Sequence, residues 1–118
     1  MAKVLLAEDD VTMVSLLKTL LTMEGYEVVA LDSDADIVEA ALREQPDLLL
    51  MYVLLLNQNG LDELKKLRAR KGGESMRVLM TSGVDFKDQC LARGANAFIQ
   101  KPFMPDDLLA ALQSTLRS

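Results

Sequence analysis

Histidine and tryptophan are absent from this chain, cysteine occurs once, and no long basic block is present. Without imidazole there is no Ser-His-Asp triad and none of the usual zinc ligand sets. A lone cysteine, Cys90, cannot close an internal disulfide, which suits a reducing, cytoplasmic setting. In the context DQCL it reads as a packed helix residue. The longest apolar run, residues 48–56, is about half of the ~20 residues that a bilayer-spanning helix needs. No basic segment with a cleavable apolar stretch follows Met1, so neither export nor a membrane anchor is expected. A net charge of −5 disfavours direct nucleic-acid binding by this domain, because phosphate contacts require a positive face.

What remains is an ordinary globular composition, 50% hydrophobic and 26% charged, over 118 residues. That length fits one domain, 1–118, able to bury roughly two-thirds of its unfolded surface. With aromatics at 4%, the core has to be built from Leu, Val, Ile, Ala and Met.

Short β-rich runs alternate with helical patterns along the whole chain. Strands are expected at 3–7, 26–31, 48–53, 77–81 and 97–100. Between the first two, Met13, Leu16, Leu17, Leu20 and Leu21 recur at helical spacing as one buried face, and Gly25 supplies the stop. Ser33 followed by Asp36 resembles a capping box opening a second helix through Ile37, Ala41 and Leu42. Leu61, Leu64 and Leu67 mark a third, with Lys65, Lys66, Arg68 and Arg70 towards its C-terminal end, where they complement the helix dipole. A short fourth helix runs from Phe86 to Leu91 and ends at Gly94. Pro105 opens a fifth that carries Leu108, Leu109, Leu112 and Leu116.

Five β-α units without a break imply an α/β fold, a parallel sheet covered on both faces. Function in such folds gathers at the carboxyl ends of the strands. Those ends bring together Glu8-Asp9-Asp10, Tyr52-Val53, Ser82-Gly83 and Lys101-Pro102. Acids, hydroxyls and an ammonium would share one edge.

Taken in order, LLAEDD at 5–10, PDLLLM at 46–51, NGL at 59–61, VLMTSG at 78–83 and GANAFIQKPF at 94–103 form a pattern. Over essentially its full length the chain resembles the receiver domain of two-component response regulators. That resemblance implies a flavodoxin-like, doubly wound, three-layer sandwich with strand order 2-1-3-4-5, and a part in phosphorelay signalling rather than in metabolism as an enzyme. In the family an aspartate at the end of the third strand accepts a phosphoryl group from a histidine kinase. By the same resemblance, Glu8 and Asp9 are the acids that hold Mg²⁺, Ser82 is the hydroxyl that contacts the phosphoryl group, and Lys101 neutralises it. Phe98 is the aromatic that reorients.

The acceptor itself is missing. Tyr52 occupies its place, and neighbouring registers offer Met51, Val53 or Leu54. A phenol has a reference pKa near ~10, so it is a poor nucleophile at neutral pH. Loss of a third carboxylate also leaves only weak Mg²⁺ binding by Glu8 and Asp9. Asp10 either assists them or caps the first helix. Ser82 is either a turn residue or a switch hydroxyl. Lys101 is expected to pair with Asp9 or to donate to the Tyr52 oxygen. Leu56 and Asn59 depart from the proline and aspartate common in relatives, which makes the loop after the third strand more apolar.

The leading expectation is a pseudo-receiver that signals by protein contact, with a histidine kinase or a downstream effector as partner. The fourth helix, fifth strand and fifth helix form a candidate homodimer face, and no output domain is expected within these residues. Two other readings stay open: a strand-end cleft reused for a small molecule or nucleotide, and an altered copy of a phosphorylatable receiver.

Overall fold

Residues 1–117 are described by the computed structural model of the chain. The strands are β1 (Lys3–Ala7), β2 (Glu27–Ala30), β3 (Leu48–Tyr52), β4 (Val78–Ser82) and β5 (Ala97–Gln100). Alternating with them are α1 (Val11–Met23), α2 (Ile37–Glu44), α3 (Gly60–Arg68), α4 (Lys87–Ala92) and α5 (Pro105–Leu116). All pairings are parallel and the strand order is β2-β1-β3-β4-β5, a doubly wound sheet as the alternation implies.

Strand periodicity sorts the apolar residues into two cores. Leu5, Ala7, Leu49, Met51 and Met80 face α2, α3 and α4, where Ile37, Leu64 and Cys90 meet them. Val4, Leu6, Leu48, Leu50, Tyr52 and Leu79 face α1 and α5, against Leu17, Leu21, Leu108 and Leu112. Every residue of β3 is buried, as a strand covered on both faces requires. Cys90 packs in the first core, and burial pushes its thiol pKa up to about 11, which leaves it unreactive at neutral pH.

Local departures from the expected elements have local causes. The second helix is capped by Asp36, whose side chain accepts the Glu39 N–H at 3.2 Å, so it begins at Ile37 rather than at a box opened by Ser33. Leu16, expected on the buried face of α1, is 61% exposed, because Leu17 and Leu21 supply the stripe that meets the sheet. The fourth strand lies one residue later than expected at both ends, Val78–Ser82.

Two tight contacts fix the loops. Gly60 donates its N–H to the Val53 carbonyl at 2.7 Å, and a Cβ at position 60 would lie 2.5 Å from the Tyr52 carbonyl. The loop between β3 and α3 is thereby folded back on the strand, with Leu54 bridging Asn59. At the opposite edge, Arg68 donates to the Gly94 carbonyl at 3.0 and 2.8 Å, to the Gly73 carbonyl at 2.6 Å and to Asn96 Oδ1 at 3.2 Å. The same Asn96 oxygen accepts the Val78 N–H at 2.8 Å. One guanidinium thus ties the end of α3 to the turn before β5.

Gly60→Ala is expected to destabilise the domain by about 1–3 kcal/mol, since the added methyl meets backbone that cannot move aside. Urea denaturation checks this, and an unchanged midpoint would contradict it.

Candidate functional site

Four of the five strands, all but β2, deliver chemically distinct groups to their carboxyl ends. The first ends in Glu8, Asp9 and Asp10, the third in Tyr52, the fourth in Thr81 and Ser82, and the fifth in Lys101. Among the described residues, the buried side-chain polar atoms without a hydrogen-bond partner are Glu8 Oε2, the Tyr52 hydroxyl and Thr81 Oγ1. Buried polar atoms are nearly always satisfied, so three orphans on these strand ends mark the site. A larger cleft of about 890 Å³ lies between α2 and α3, crossed by the 2.6 Å Arg70–Glu39 ion pair, and it holds none of these atoms.

Tyr52 is only 3% exposed and its ring belongs to the core facing α1 and α5. Even so, the ring reaches the charged edge. Lys101 Nζ stands 4.1 Å above its centroid, within range of a cation–π contact. The sequence suggested that Lys101 would pair with Asp9 or donate to the phenol oxygen. Instead the ammonium sits over the ring face, because the aromatic group extends beneath it.

The acids divide their work. Glu8 is 8% exposed and its Oε1 accepts the Asp10 N–H at 2.8 Å. Asp9 Oδ2 accepts the Leu56 N–H, which pins the loop after β3 over the acidic edge. Asp10 is the N-cap of α1, accepting from Thr12 at 2.9 Å and Met13 at 3.2 Å. Ser82 is buried and its hydroxyl oxygen accepts the Val84 N–H at 3.1 Å, the geometry of a turn residue. Phe98 is half-buried, in register with Met80, and packs against the core that faces α2, α3 and α4.

One residue escaped the sequence reading. Thr81 is the register partner of Tyr52, fully buried, with an unpartnered hydroxyl. Paired residues of a parallel sheet share a face, so Thr81, and not Ser82, is the hydroxyl on the Tyr52 side. Strand alternation counted from Val78 would have found it.

Burial and negative neighbours set the electrostatics. The Tyr52 phenol pKa is raised far above its ordinary value, by desolvation first and then by the Glu8 carboxylate, with a smaller push from Asp10. No hydrogen bond of good geometry joins the hydroxyl to Glu8 Oε2, yet Glu8 is the carboxylate that acts most strongly on it. Glu8 itself is raised by burial, against the lowering effects of the Asp10 N–H and Lys101. At neutral pH the phenol is neutral and cannot act as a phenolate nucleophile.

Glu8 and Asp9 are the residues that would hold a divalent cation. Magnesium favours one or two carboxylates together with substrate phosphates and several waters. Here each of the two carboxylates already accepts a backbone N–H, and a neutral phenol stands where a third oxygen anion would complete the set. The donor set fits Mg²⁺ poorly.

The comparisons with known proteins bear on the family and the fold. The family model described as "Response regulator receiver domain" matches residues 4–113. This chain belongs to that family. The transcriptional regulatory protein CpxR of Klebsiella pneumoniae is 36% identical over 99% of the chain, which covers 50% of that relative. The DNA-binding response regulator MtrA of Mycolicibacterium paratuberculosis is 31% identical over 98% of the chain and 51% of its own length. The chain therefore spans about half the length of these curated relatives. Among solved structures, the receiver domain of sensor histidine kinase PA1611 from Pseudomonas aeruginosa superposes with a TM-score of 0.86 at 25% identity, covering 99% of this chain and 98% of that one. That structure has magnesium coordinated in its active-site cleft. The chemotaxis response regulator CheY4 of Vibrio cholerae gives 0.83 at 29% identity, covering 98% of both chains. No helix among the described residues is long and apolar enough to cross a membrane.

The raised pKa of Glu8 has a definite sign. The folded state holds this proton more tightly than the unfolded chain does, so stability falls as pH rises from the ordinary 4.5 through the raised value. Above that window an ionised Glu8 opposes folding. Glu8→Gln, which keeps an acceptor for the Asp10 N–H, is expected to raise the melting temperature at pH 7 and to lose that advantage near pH 4.5. Thermal melts across that range check it, and a lower melting temperature at pH 7 would contradict the assignment.

Proposed function

We propose that this domain is a receiver module of two-component signalling that acts by protein contact and does not accept a phosphoryl group. The observation that carries this reading is the position of Tyr52. Its ring lies at the carboxyl end of β3, with the Lys101 ammonium 4.1 Å above it and Glu8 the carboxylate that acts most strongly on its hydroxyl. A carboxylate there would be ionised and could attack phosphorus to form an acyl phosphate. The buried phenol is held neutral, by desolvation first and then by the negative charge of Glu8 and Asp10, which disfavours the phenolate. Lys101, which the family would use to neutralise a phosphoryl group, is occupied by the ring. On this reading the pocket is filled by its own chain.

Mg²⁺ binding is weak on this reading, through Glu8 and Asp9. The partners are proteins of a signalling pathway, a histidine kinase or an effector. Reuse of the edge for nucleotides is disfavoured, because Glu8, Asp9 and Asp10 repel phosphate and no glycine-rich loop follows β1. The face formed by α4, β5 and α5, where Leu91 is 41% exposed, is proposed as the surface for self-association. Light scattering across a concentration series tests that, and a strict monomer at high concentration removes it.

Incubation with acetyl phosphate and Mg²⁺, followed by intact-mass measurement, is expected to leave the wild-type mass unchanged. Tyr52→Asp is expected to gain one phosphoryl group, since Glu8, Asp9 and Lys101 remain around the restored carboxylate. A stoichiometric gain by the wild-type protein would sink the proposal.

A further inference from the structure

A second charged feature lies at the amino ends of the strands, away from Tyr52. The end of α3, the loop before β4 and the end of α4 enclose an open pocket of about 440 Å³. Its polar lining comes from Arg68, Glu74, Ser75, Arg93 and Asn96.

Two observations make this pocket complementary to an anion. The first is a cation without a counter-ion. Arg68 is half-buried, and its acceptors, the Gly73 and Gly94 carbonyls and Asn96 Oδ1, are all neutral. Burial lowers its pKa, with no carboxylate to oppose that effect. Among the described residues no ion pair engages either Arg68 or Arg93. Charges withdrawn from water are normally paired.

The second is an excess of donors. Those three neutral acceptors are taken by Arg68, and Asn96 Oδ1 also receives the Val78 N–H at 2.8 Å. Two donors on one atom fix it as the oxygen, so the Asn96 amide nitrogen is left as a donor. That nitrogen, the Ser75 hydroxyl and the Arg93 guanidinium have no hydrogen-bond partner among the described residues. One acid is present, Glu74, and its Oε1 accepts the Gly72 N–H at 3.1 Å.

Shape and charge select the occupant. A guanidinium fork matches a planar carboxylate through two parallel hydrogen bonds. Glu74 on the rim penalises a doubly charged phosphate more than a singly charged carboxylate. The apolar lining is Met76 and Ala92, so a nucleotide base has no aromatic surface to stack on. An open pocket does not enclose a small molecule as ligand cavities do, but it can receive a side chain carried on another protein. We propose that this pocket seats a glutamate or aspartate side chain from an acidic segment of a partner protein, between Arg68 and Arg93. Lys65, one turn before Arg68, and Lys71, in the following loop, form no ion pair among the described residues. They extend the positive field to neighbouring acids of that segment and steer its approach. This surface goes beyond the contact-only reading and does not rest on it, since Tyr52 takes no part.

The test uses the full chain and two fluorescent, amidated peptides, one with glutamates spaced among serines, the other with glutamines in their place. Fluorescence anisotropy at low salt is expected to show saturable binding of the glutamate peptide alone. Arg93→Ala, at an exposed position, is expected to weaken that binding at least fivefold while keeping the wild-type circular dichroism. Glu74→Gln, which keeps an acceptor for the Gly72 N–H, is expected to tighten it at least twofold, a gain that lost structure would not produce. Lys18→Ala, on α1, removes one positive charge elsewhere and is expected to bind as the wild type does. Absence of glutamate-peptide binding, or equal binding by Arg93→Ala and the wild type, would overturn the proposal. So would equal weakening by Lys18→Ala, which would reduce the effect to overall charge. Tighter binding of a phosphoserine peptide or of single-stranded DNA would overturn it too, by assigning the pocket to phosphate.

Discussion

The fold depends on burying β3 completely while satisfying both of its hydrogen-bonded edges. Its residues pair with β1 on one side and β4 on the other, and every one of them is buried. Alternation along this strand assigns Leu49 and Met51 to one core and Leu48, Leu50 and Tyr52 to the other. A register slip of one residue would exchange those two sets and bring the Tyr52 side chain to the wrong face. The position of the phenol is therefore a consequence of core packing, and the chemistry at the strand end inherits it.

That inheritance explains the electrostatic character of the site. A carboxylate at the end of a fully buried strand needs cations or a metal to offset its desolvation. A phenol needs neither, and its ring adds apolar area to the core that α1 and α5 cover. The adjustment is visible in the neighbours. Lys101 rests on an aromatic face, Asp10 serves the helix, and Asp9 holds a loop. Groups that could gather around a charge have each found local structural work.

Much of this was legible in the residues. The alternation of short apolar runs with helical stripes was enough for the element order, and the strand-end rule placed Glu8, Tyr52 and Lys101 on one edge before any coordinates. Boundaries were less legible because end residues are decided by single hydrogen bonds. Asp36 won the second helix cap from Ser33 through its bond to the Glu39 N–H. Ser82 was singled out by the family resemblance, whereas the alternation of faces along β4 puts its neighbour Thr81 on the side of the phenol. The lysine–ring contact was not foreseeable from spacing, because it depends on how far an aromatic side chain extends under a neighbouring loop.

The two ends of the sheet differ in what protonation can do to them. At the far end Arg68 bonds only to amide oxygens, those of Gly73, Gly94 and the Asn96 side chain, while Lys3 is held there by the Asp47 and Glu44 carboxylates. The amide acceptors have no proton to gain in mildly acidic solution, whereas the Glu44 carboxylate, held below its ordinary pKa by the Lys3 ammonium, does. Acidification therefore weakens the β1 corner of that pole and spares the tie between α3 and β5, while at the other pole the buried Glu8 carboxyl gains stability from its proton.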